Sequence, residues 1–311
     1  MKRFSSIGML ILVGLVSFLF FFYLMFPYTV LREAVVTKLS AATGMSLRLD
    51  KLTPHFPLGV RIDGVAVDQP GRKGIKLRRV DVSISPLNLL FASLRAKLYV
   101  EDEHKGQLTG SVSLPLFGLL QQKGVIPSSV DVTSRDFAIK DLAEYFLAEY
   151  SHSEDINMLV APLLTGLQVG GTLNADVALE INTNDAAKTS GNLSLSLFNF
   201  TLGSRAGELP IDNQEFNKAI ISAEISKGTL TFAKESGFVS NDLLVEITGN
   251  ITQKPELSES HIEAELGIEL SKNLKEQFGF IISAITNTDV QQKLTVKISG
   301  PFSPQPSVVV L

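Results

Sequence analysis

Histidine, serine and carboxylate side chains are where a chain of this length keeps its reactive chemistry, and here their spacing points away from a reaction centre. His55, His104, His152 and His261 are scattered, and no two share the spacing that two ligands on one helix need. His104 follows Glu101-Asp102-Glu103, a set with the donors for a cation, but the run lies between two amphipathic segments and reads as a solvated hairpin tip. His152 with Glu154 and Asp155 reads as a polar link between two short helices, and His261 falls on the wet side of its segment, opposite Ile262 and Ala264. No serine stands in Gly-x-Ser-x-Gly or Ser-x-x-Lys, the settings that expose or activate a nucleophile. Lys227-Gly228-Thr229 lacks the upstream glycine and the Lys-Ser/Thr order of a phosphate loop. Asn192, Asn199 and Asn250 open Asn-x-Ser/Thr sequons, which chance supplies in a chain rich in these residues. No catalytic residue, metal ligand or cofactor site is expected, and the chain is not read as an enzyme.

What recurs instead is alternation. From Gly171 to Asn182, Leu173, Ala175, Val177, Leu179 and Ile181 point one way, while Thr172, Asn174, Asp176 and Glu180 point the other. Successive side chains of a strand leave opposite faces, so this segment is a strand with one apolar and one polar face. The pattern returns at Leu94 to Val100, Leu193 to Leu197, Ile221 to Ile225, Leu243 to Ile251, Ile262 to Leu270 and Leu294 to Ile298. So many one-sided strands share one apolar surface, either closed against a second sheet or left as a curved trough. The trough lining is expected from Leu173, Val177, Leu179, Ile181, Leu266 and Ile268.

The first residues set the compartment. After Lys2 and Arg3 no charge appears until Arg32, and Ile7 to Phe26 is almost wholly apolar. About twenty such residues at helical rise cross a bilayer core of about 30 Å. The run ends in bulky residues, unlike a signal-peptide cleavage site. Ile7, Leu12, Phe18, Phe22 and Phe26 are therefore expected in an uncleaved anchor. The basic start favours a cytoplasmic N-terminus and an exported remainder. The expected organisation is a cytoplasmic tail at 1–6, a transmembrane anchor at 7–27, a juxtamembrane helix at 28–44 and a periplasmic β-rich domain at 45–311, with lobes at 45–169 and 170–311. A net charge of −4 without a basic stripe argues against nucleic acid, and the absence of cysteine excludes a disulfide framework.

Few helices are expected to cover the strands. Asp141 and Glu144 suggest a capping box for Leu142 to Tyr150, Ile156 to Leu164 reads as a second short helix, and Ser271 as the cap of Asn273 to Ile285. Turns are expected at Pro54, at Pro57-Leu58-Gly59, at Asp68-Gln69-Pro70-Gly71 and at Lys105-Gly106. Ser307 to Leu311 is expected as a final edge strand.

Three stretches carry a resemblance. Leu47-Arg48-Leu49-Asp50-Lys51-Leu52, then Gly59 to Val67, Leu77 to Ile84 and Pro86-Leu87, resemble the membrane-proximal start of AsmA-like proteins, which carry one inner-membrane anchor and a β-rich lipid-handling body. Ile220 to Phe232, Leu244 to Ile251 with Gly249, and Ile298-Ser299-Gly300-Pro301-Phe302 with Pro304 and Pro306 resemble the type II secretion system protein N family. The resemblance implies a bacterial inner-membrane, single-pass accessory component of type II protein secretion, acting as a scaffold with other envelope components as partners. An AsmA-like lipid-binding or transfer protein is the alternative, with membrane lipids as ligands.

Overall fold

The structure, a computed structural model, describes residues 27–43, 45–68, 74–89, 93–116, 127–144, 167–182, 185, 188–204, 211–254, 259–276, 293–301 and 307–310, with Gly14, Ser17, Phe21 and Met25 before them. The anchor residues Ile7, Leu12, Phe18, Phe22 and Phe26 lie outside the described residues, as do most of the helices expected at 142–150, 156–164 and 273–285. Among the described residues no helix is long and apolar enough to cross a membrane.

Helix α1 spans Tyr28–Thr43 and leads into β1 (Ser46–His55), followed by β2 (Gly59–Asp68), β3 (Ile75–Ile84), the single turn α2 (Pro86–Leu89), β4 (Ser93–Asp102), β5 (Gln107–Pro115), β6 (Ser129–Ala138) and β7 (Leu167–Glu180). Next come β8 (Ser190–Ser204), β9 (Ile211–Ser226), β10 (Thr229–Phe232), β11 (Gly237–Ser240), β12 (Leu243–Thr252), β13 (His261–Leu270), β14 (Leu294–Pro301) and β15 (Ser307–Val310). All fifteen strands form one antiparallel sheet in chain order, with β10 and β11 sharing the space between β9 and β12. Short turns enforce this order wherever strands follow closely, as between β1 and β2, β4 and β5, and β9 and β10. At Lys227-Gly228 both residues take positive φ, the geometry that reverses a right-twisted ribbon in two residues. Residues 169 and 170 both lie within β7, which pairs with β6 on one side and β8 on the other.

Three details sharpen or correct the sequence expectations. Pro54 lies inside β1, opposite Val60, rather than in a turn. It is tolerated there because β1 is an edge strand and one of its faces needs no ladder donor. Ser271 caps the helical turn at 272–276 as expected, its hydroxyl accepting from the Leu274 N–H and its carbonyl from the Lys275 N–H. Ser307–Val310 pairs with β14 as the last strand.

Aligned register breaks interrupt the alternation. In β1 the inward positions are Leu47 and Leu49, then Leu52. Their partners Val67, Val65 and Ile62 in β2 change parity at the same level, around Gly64, and β3 follows at Arg78. A second set falls at Asp136 in β6, Asn199 in β8 and Asn217 in β9. Asp136 and Asn199 take φ of 49°, a region that Asp and Asn enter more readily than other side chains. Each extra residue bends its strand and raises the local twist.

Candidate functional site

The register makes the apolar face continuous. Directly paired residues share a face, and one row runs Pro54, Val60, Val82, Leu98, Gly110, Val132, Val177, Leu193, Ala223, Phe232 across ten strands. Beyond β10 the face goes on through Leu230, Ile251 and Ile262, and through Ile247, Leu266 and Val296. Of the expected lining, Leu173, Val177 and Leu179 lie together on β7, Ile181 just past its end, and Leu266 and Ile268 on β13, all half-buried on this face.

No second sheet lies against it among the described residues. Every extensive contact between elements joins sheet neighbours, apart from α1 on β1 and α2 on β4. The sheet-on-sheet alternative is therefore not the arrangement of the described residues. Burial agrees with a single layer: Val82, Ile84 and Leu98 are large, apolar and still 37–38 % exposed. A well-buried apolar cluster occurs where β8, β9 and β11 meet. There the coincident breaks at Asn199 and Asn217 bring Phe200, Phe216 and Phe238 to one side, with ring centroids 4.9, 6.2 and 6.3 Å apart. Ladder pairing between β8 and β9 lapses from Leu197 to Asn199, and a cavity of 480 Å³ opens between Ser196–Thr201 and Glu215–Ile220. This cluster escaped the alternation reading because a bulge reverses parity. Its signal in the sequence is an Asn beside a Phe, at Asn199-Phe200 and again at Phe216-Asn217.

The polar face holds its own structure. Asp81 of β3 is buried between two arginines: the Arg61 Nε donates to Oδ1 at 3.0 Å, and the Arg79 Nη2 donates to Oδ2 at 2.6 Å. His55 Nδ1 is 3.0 Å from Arg61 Nη2, and the Arg79 guanidinium lies 5.5 Å over the Tyr99 ring. Burial pushes the Asp81 carboxyl up, but the hydrogen bonds from Arg79 and Arg61 outweigh it and hold the group below the usual carboxylate range. A folded value below the unfolded one gives stability that is present at neutral pH and is lost as the pH falls below about 4. Arg79→Met is therefore expected to move acid unfolding to higher pH, read as the midpoint of a circular-dichroism titration; an unchanged midpoint refutes it. On the same face Arg95 donates to Ser111 Oγ at 2.9 Å and to Asp131 at 3.0 Å, and Lys293 bridges Glu246 and Glu269.

The acidic tip is corrected. Glu103, His104 and Lys105 are exposed, but Asp102 is buried. Its Oδ1 accepts from the His104 and Gly106 N–H groups at 2.7 and 2.8 Å, and its Oδ2 accepts from the Ala138 N–H at 2.7 Å. The carboxylate therefore ties the β4–β5 turn to the bulged end of β6 and binds backbone rather than a cation. Among the described residues no group of acidic and histidine side chains has the geometry of a metal site.

Comparison with protein-family models, with curated proteins and with solved structures finds no match to this chain.

Proposed function

We propose that the protein binds membrane lipid in the bacterial envelope, the acyl chains lying on the apolar face of its sheet. The observation that carries this reading is the unbroken apolar row from Pro54 to Phe232 with no second sheet against it among the described residues. An apolar surface of that extent is unfavourable in water at about 25 cal/mol per Å², and a hydrocarbon ligand relieves the cost. The aligned bulges support the curvature of an open trough, since coincident bends curl a sheet along one line. The apolar run at 7–27 holds this body to the inner membrane, with the N-terminus cytoplasmic and the strands periplasmic. No reacting group takes part.

Full-length protein purified in detergent and analysed by native mass spectrometry is expected to carry phospholipid that survives delipidating washes. A protein that is uniformly lipid-free overturns the reading.

The type II secretion reading, a scaffold among other envelope components, is favoured by one feature: β15 is an unshared edge that another strand can extend. Cross-linking in cells from Val309→Cys, which places a thiol on that edge, is expected to capture a secretion component. Capture of none leaves lipid binding as the sole reading.

A further inference from the structure

The β1–β2 turn carries two large apolar residues in water: Phe56 is 74 % exposed and Leu58 is 42 % exposed. Isolated exposed side chains need no explanation, but these are not isolated. The Leu58 carbonyl accepts from the Ile84 N–H at 2.7 Å, which joins the turn to the open patch of Val82, Ile84 and Leu98. Turn and patch are thus neighbours at one end of the first four strands, both exposed and both apolar.

The direction of α1 says what that surface faces. Two contacts fix the helix alongside β1: Ser40 Oγ accepts from the Leu47 N–H, and the Arg32 guanidinium donates to the Asp50 carbonyl. As the chain passes from residue 40 back to 32, its neighbour on β1 advances from 47 to 50, so helix and strand are antiparallel. Sixteen residues of helix rise about 24 Å, and ten residues of strand span about 33 Å. The first turn of α1, from Tyr28, therefore lies toward the Phe56–Leu58 end, so the chain enters the helix from that end. On the polar face toward the same end, the exposed Lys97 of β4, paired with Ser83 of β3, suits an anionic headgroup.

We infer that the Phe56-Pro57-Leu58 turn is a second membrane contact, inserted in the bilayer interface beside the anchor, so that the open apolar patch begins at the membrane surface. The inference rests on the anchor of the proposed function but not on lipid being carried along the sheet.

The native chain has no cysteine, so single-cysteine variants of the full chain report one position each. Leu58→Cys and Phe56→Cys, labelled with an environment-sensitive fluorophore and reconstituted in phosphatidylethanolamine–phosphatidylglycerol vesicles, are compared with Lys76→Cys, an exposed position near the opposite end of β3. The expected result is blue-shifted emission at 58 and 56, loss of quenching by aqueous iodide and quenching by doxyl-labelled lipid, while position 76 behaves as in water. Labels at 58 and 56 as aqueous as the one at 76, in a chain that floats with the vesicles, overturn the turn contact and leave the anchor standing. A chain that does not float overturns both. Co-purified phospholipid, measured separately, bears only on the lipid reading.

Discussion

Leu98→Asp is expected to leave the protein folded and to strip it of bound lipid. Leu98 stands in the middle of the apolar row, between Val82 and Gly110, yet 38 % of it is exposed. A carboxylate there keeps much of its water, so the desolvation that makes a buried charge unfold a protein is largely avoided. Gly110, its neighbour on β5, offers no side chain to crowd the new one. An acyl chain laid along the row meets the charge directly and must either desolvate it or leave the surface. Val177→Asp and Leu266→Asp, half-buried on the same face, are expected to behave alike with a larger loss of stability. Phe137→Asp is the control, because Phe137 is only 3 % exposed and a charge there has no water. Urea unfolding read beside phospholipid per protein by mass spectrometry separates the cases. If Leu98→Asp unfolds as readily as Phe137→Asp, the open face loses its support.

Asp102→Ala should cost about 3–5 kcal/mol of stability. Three backbone N–H groups lose a charged acceptor at once; Gly106 is buried and Ala138 half-buried. A buried donor left without a partner costs about 1–3 kcal/mol, and bonds to a charged acceptor lie at the strong end. Asp102→Asn keeps one acceptor oxygen and should fall between. The turn has no easy substitute arrangement. A Cβ on Gly106 would lie 2.3 Å from the Asp136 carbonyl, so the β4–β5 turn sits directly on the β6 bulge. A midpoint in urea within about 0.5 kcal/mol of wild type, the range of a neutral surface change, refutes the role assigned to this carboxylate.

Legibility followed physical range. Alternation is local, so the face assignments of Leu173 to Leu179 and of Ile262 to Leu270 were open to inspection, as was the Ser271 cap. The Asp81 pair and the Asp102 tie were not. Arg61 and Asp81 are twenty residues apart, Asp102 and Ala138 thirty-six, and only the register brings them together. Alternation also marks Asp102 as one more polar residue in an acidic turn, although it follows Val100 on the inward side of β4. The bulges set the other limit. Past Asn199 inward positions change from odd to even, so counting on from Leu193 assigns Phe200 and Phe216 to the wrong face. Whether the apolar face met another sheet was not decided by any segment, because each strand looks the same in either case.

The helix alongside β1 has a consequence for assembly. Ser40 and Arg32 occupy backbone groups of β1 at Leu47 and Asp50, whereas among the described residues no strand pairs with the outer edge of β15. Joining one molecule's last strand to the next one's first would build an open-ended fibre, and the helix occupies the Leu47 to Asp50 part of the receiving edge. Of the two ends of the sheet, β15 is therefore the one more open to lengthening. Two copies that meet through their free ends close on each other and stop at a pair.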